Sequence, residues 1–126
     1  MEKTVVVCKE KCYCCGKESS FLIEQGATLL REAACEHCGA SLRNSDVMKT
    51  LKNTTFNGQL FEKCKNKLYI VNTSSYGGVH CALKHLPNYI YSEYYPNIPS
   101  GQRAENGVLC VNLLNMPFDD ESLDVI

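Results

Sequence analysis

Cys12-Tyr13-Cys14-Cys15-Gly16 and Cys35-Glu36-His37-Cys38-Gly39 decide how the first third of this chain folds. Each arm holds a Cys-x2-Cys-Gly turn, and nineteen residues lie between Cys15 and Cys35. A Cys-x2-Cys turn presents two thiolates from one tight loop, and the glycine after it permits the positive φ that such a loop needs. Two such loops face to face make a closed tetrahedral S4 site, which suits structural zinc and leaves no coordination position open for chemistry.

A redox Cys-x-x-Cys pair, an iron-sulfur centre and disulfides are the alternatives. Nine cysteines, an odd number, and an N-terminal stretch unlike a signal peptide argue against a disulfide framework. A reduced, cytoplasmic setting is the expectation. Cys8 and Cys14 are spare thiols that leave a slipped register open, yet only Cys12 with Cys15 repeats the spacing of Cys35 with Cys38. His37, inside the second turn, is expected at the surface because four thiolates already satisfy the metal. Zinc in small modules binds with roughly 10–16 kcal/mol near neutral pH, so residues up to about Arg43 should be poorly ordered without it.

Charge excludes less than the cysteines assert. The net charge is −1 over 126 residues, and the first 52 carry eight Lys/Arg against seven Asp/Glu. Without a basic stripe to neutralise phosphates, nucleic acid is not the expected partner. No apolar run approaches the roughly 20 residues of a membrane-spanning helix, so no membrane partner is expected.

Working outward, residues 1–43 read as a zinc ribbon, with Phe21-Leu22-Ile23 packing beside the metal. Residues 44–66 read as a helical connector. Ser45 is its expected N-cap, Val47, Met48, Leu51 and Thr55 form one face, Asn57-Gly58 is a break, and Leu60, Phe61 and Cys64 make a further turn. From residue 67 the pattern changes to strands at 67–71, 89–92, 108–111 and 123–126, with a polar loop from Asn72 to Gly78 and a helix from Gly78 to His85. Strand, glycine-containing loop, helix, strand opens a doubly wound parallel sheet. The expected fold class is therefore α/β: a zinc ribbon followed by the first half of a Rossmann-like doubly wound parallel sheet. Cys64, Cys81 and Cys110 are expected to fill the core, and Asp119-Asp120-Glu121 to be a solvated turn.

Leu114-Asn115-Met116-Pro117-Phe118-Asp119-Asp120-Glu121-Ser122-Leu123-Asp124-Val125-Ile126 resembles the Asn-Leu-Pro-Phe, acidic turn, Ser-Phe-Asp-Val-Ile block of class I S-adenosylmethionine-dependent methyltransferases (type 11-like). Tyr91-Ser92-Glu93-Tyr94-Tyr95 is similar to the end of that family's second strand, and Arg31-Glu32, the second knuckle and Ser41-Leu42-Arg43 resemble the stretch before such domains. The resemblance implies S-adenosylmethionine as cofactor and a methyl acceptor of unknown class. It implies that Glu93 accepts both ribose hydroxyls and that Gly77 and Gly78 let backbone approach the methionine end. Asn112 would receive the adenine amino group and the Leu113 N–H an adenine ring nitrogen. Ile70-Val71-Asn72-Thr73-Ser74-Ser75-Tyr76-Gly77-Gly78 departs from the family's acid and Gly-x-Gly-x-Gly loop. The family continues beyond its fourth strand, so the expectation is a portion of a longer protein, or a fourth strand covered by self-association or another chain.

Overall fold

The ribbon begins earlier than the cysteines. In the computed structural model, which describes residues 3–126, β1 (Thr4–Lys11) pairs antiparallel with β2 (Glu18–Glu24), and the two-residue β3 (Ala34–Cys35) pairs with the other edge of β2. The sequence expectation counts these residues in the 1–43 ribbon but assigns no strand before Cys12, because the Val5-Val6-Val7 run lacks the alternation of a half-buried strand. Its register slips between Val6 and Cys8, a β-bulge. Alternation in β2 turns Ser19 and Phe21 inward, and Phe21 with Cys12, Ala33, Cys35 and Ala40 forms a small buried core.

The helix after the ribbon, α1 (Leu42–Lys52), starts three residues before its expected cap. Ser41 is the N-cap: its extended backbone and an Oγ accepting the Asn44 N–H at 3.1 Å satisfy one of the free amides of the first turn. Ser45 lies within the helix, fully buried, and its Oγ accepts the backbone N–H of Tyr13 at 3.0 Å. Both serines have capping chemistry, and the ribbon's demand for a hydrogen-bond acceptor sets which one caps. Met48 is buried as expected, whereas Val47 stays half exposed.

Asn57-Gly58 does more than break the run. It is the two-residue turn of a small hairpin of β4 (Thr55–Phe56) and β5 (Gln59–Leu60), with both turn residues at positive φ, the pattern of a type I′ turn. A single turn, α2 (Phe61–Cys64), follows and buries Phe61 and, as expected, Cys64, while Leu60, expected in that turn, ends β5 and is half exposed.

Three parallel strands organise the remainder: β6 (Ile70–Asn72), β7 (Tyr89–Glu93) and β8 (Leu109–Cys110), hydrogen-bonded in that order. β6 starts later than residue 67 because Lys65–Lys67 is a 3-10 turn. The segment expected as a fourth strand contributes a single parallel bridge, Ile70 to Val125, on the free side of β6. Three backbone bonds hold it: Asp124 N and Val125 N donate to Tyr69 O at 2.8 and 3.2 Å, and Val71 N donates to Val125 O at 3.0 Å. Across the sheet the chain order is therefore third, second, first and then residue 125. α3 (Gly78–Leu83) joins β6 to β7, ending two residues before His85, while residues 94–108 link β7 to β8 through turns without a helix. The molecule is thus mixed α/β with few helices. Met48, Phe61, Cys64, Leu68, Ile70, Leu83 and Leu86 form its second core, between α1, α2, α3 and β6. Among the described residues no helix is long and apolar enough to cross a membrane.

Candidate metal centre and sheet edge

The two cysteine turns are built alike. In the first, Cys12 N donates to Lys17 O at 2.9 Å and Gly16 N to Cys12 O at 2.7 Å. In the second, Cys35 N donates to Ala40 O at 2.8 Å and Gly39 N to Cys35 O at 2.9 Å. Gly16 and Gly39 take matching left-handed conformations, φ 81° and 78°, the region a side chain disfavours. Identical backbone closure in both arms aims both sulfurs of each turn at one point.

Those sulfurs are Sγ of Cys12, Cys15, Cys35 and Cys38, all within 4.8 Å of one another. Cys12 and Cys38 sulfurs are 3.7 Å apart, Cys15 and Cys35 3.9 Å. Four Zn–S bonds of about 2.3 Å at tetrahedral angles separate sulfurs by about 3.8 Å. The cluster can hold a metal ion such as zinc, and its donor set fits one. Burial opposes ionisation of Cys35, but the Ser19 hydroxyl and the backbone N–H groups of Cys38 and His37 outweigh it and bring its pKa down to about 6. The His37 N–H lies 3.4 Å from Cys35 Sγ, the kind of second-layer donor that steadies a metal-bound thiolate. Cys38 moves upward instead, through burial and neighbouring thiols. The His37 ring faces outward, 3.3 Å from Glu36 and from the Glu18 carbonyl, rather than toward the sulfurs.

Cys14 is not a fifth donor. It packs against both hydrophobic cores, and burial, with Cys12 and Cys15 beside it, pushes its thiol up to about 12. Gly78 sits against the same spot. A Cβ there would lie 2.5 Å from Ala40 Cβ and 3.1 Å from Cys14 Sγ. The close backbone approach inferred for Gly78 is thus made to the ribbon.

At the carboxyl edge of the parallel sheet, Glu93 ends β7 and its Oε1 accepts both the N–H and the hydroxyl of Ser75 at 2.9 Å. Asn72 ends β6, its Oδ1 accepting the Ser74 N–H and its Nδ2 donating to Tyr89 Oη at 3.1 Å. Asn112 closes a turn by accepting the Leu114 N–H at 2.9 Å, and Leu113 is exposed. A cleft of ≈ 430 Å³ lies between α1, the Asn72–Gly77 loop and residues 125–126. Gly77 lines it; Gly78, Glu93, Asn112 and Leu113 do not.

No family model, no curated protein and no solved structure was found to match this chain. The metal centre and the sheet edge therefore stand on their own geometry. The structure gathers all four predicted thiolates, and it does not bring Gly77, Gly78, Glu93, Asn112 and Leu113 into one cleft. Ser75, which donates to Glu93, and Arg43 and Asn44, which line the cleft, are residues that sequence reasoning does not single out. Nothing in the pattern marks Ser75, while Arg43 and Asn44, at the start of an amphipathic helix, read as solvated surface. Cys81, expected in the core, is exposed, because its position on the short α3 faces away from Leu83.

Proposed function

We propose that this chain is an S-adenosylmethionine-dependent methyltransferase, or the N-terminal portion of one, in which structural zinc bound by Cys12, Cys15, Cys35 and Cys38 braces the first half of a Rossmann-like sheet. The observation that carries this reading is the parallel strand order, which sets the ends of β6, β7 and β8 on one edge with a carboxylate, Glu93, at the end of β7. Ligands of open α/β sheets bind at the carboxyl ends of their strands. Glu93 already accepts two donors from Ser75, so a vicinal diol replaces like with like when the Ser75 loop yields. The bound cofactor supplies an electrophilic methyl group on a sulfonium. The chain supplies orientation: Glu93 for the ribose, backbone at Gly77 for the methionine end, Asn112 and Leu113 for the adenine.

Calorimetric titration of S-adenosylmethionine into zinc-loaded protein tests this. Saturable heat that Glu93→Ala removes is the expected result. A second reading, a zinc-dependent binding module whose α/β half takes no cofactor, is favoured by two observations: Gly78 is committed to the ribbon, and Asn72 stands where an acid is expected. Absence of heat from folded, zinc-loaded protein selects that module.

A further inference from the structure

The cleft beside the Asn72–Gly77 loop has a polar rim and an apolar floor. Arg43 and Asn44 from the first turn of α1 and Asn72, Ser74 and Tyr76 from the loop form the rim, and the floor includes Val71 and Leu83. Arg43 carries the only charged side chain in this lining. Its guanidinium is already oriented: Nε donates to Glu32 Oε1 at 2.8 Å and Nη2 reaches Oε2 at 3.5 Å. Nη1 meets no protein acceptor among the described residues. A planar fork held on one side, with N–H groups left over on the other, is suited to a carboxylate. Glu93 does not line the cleft, and the intervening loop ties to it through Ser75.

We propose that Arg43 is the subsite for the carboxylate of a bound nucleoside–amino acid, the methionine end of the cofactor, lying across the loop from a ribose held by Glu93. This rests on the cofactor reading above and adds to it a specificity-determining residue supplied by the ribbon–helix junction. Glu32 is its positioning residue.

The test compares two probes by calorimetry on zinc-loaded protein: S-adenosylhomocysteine, which carries the carboxylate, and methylthioadenosine, which keeps the nucleoside and thioether but lacks the amino-acid end. The native chain is expected to prefer the first by about tenfold or more, the value of one charge-assisted hydrogen bond. Arg43→Gln should erase that preference by weakening S-adenosylhomocysteine alone, and Arg43→Lys should restore part of it. Thermal unfolding and zinc content are followed in parallel to exclude a structural loss. Equal weakening of both probes in Arg43→Gln, or no weakening, overturns the assignment. Equal affinity of the native chain for both probes overturns the Arg43 subsite while leaving the cofactor reading intact, and failure of both probes to bind removes the two together.

Discussion

Gly78 has no room for a side chain, and the reason lies in another part of the sequence. With Ala40 Cβ 2.5 Å from where a Cβ would stand, Gly78→Ala forces the second knuckle and α3 apart. The expected cost is about 1–3 kcal/mol in urea unfolding, the usual range for overpacking a filled interface. Metal stoichiometry should stay unchanged, because the four sulfurs are not touched. Ser45 makes a similar link in polar form. Ser45→Ala leaves the Tyr13 N–H without its acceptor and should cost about 1–3 kcal/mol by the same measurement. Ser41→Ala removes only a helix cap and should cost nearer 1 kcal/mol.

Elements differ in how far local sequence dictates them. The two knuckles were fully legible, since Cys-x2-Cys-Gly fixes both the sulfur spacing and the left-handed residue, and the four sulfurs meet as the spacing implies. Strand β7 is legible from its aromatic and β-branched Tyr89-Ile90-Tyr91, and β8 as the middle of the apolar run at 108–111. The start of α1 was not, because Ser41 and Ser45 have the same capping chemistry and only the distant Tyr13 amide distinguishes them. The Asn57-Gly58 hairpin was half seen, as a break without its two flanking strands. At the sheet edge Glu93 was visible but its partner Ser75 was not, since a contact across eighteen residues leaves no periodic trace. A prediction belongs to the knuckles as units. Cys35→Ser or Cys38→Ser leaves three of four thiolates, and cobalt loading should then lose about a quarter of the sulfur-to-metal absorption that the native protein gives; retention of the native spectrum would show Cys8 or Cys14 entering the site.

Across the whole molecule, the ribbon and the α/β half share Cys14, Gly78 and Ser45 as common ground. Removing metal should therefore be felt beyond residue 43. Chelator treatment is expected to raise amide exchange first in residues 12–43 and then in α1 and the Asn72–Gly78 loop, a progression that hydrogen exchange by mass spectrometry resolves. Acid should act in the same direction: thiolates must be deprotonated to bind, so lowering pH protonates them and releases the ion, with free metal rising as the pH falls. The bulge in β1 has a consequence of another kind. β1 is the outer strand of its sheet, and Val5 and Val6 are about half exposed, a combination that invites a second copy to add its own strand and seed aggregation. The slip between Val6 and Cys8 interrupts that edge, with Lys9 and Lys11 beyond it. An irregularity of one residue thus breaks the template a second copy would need, and a variant with a straightened β1 is expected to scatter more light than the native chain at equal protein concentration.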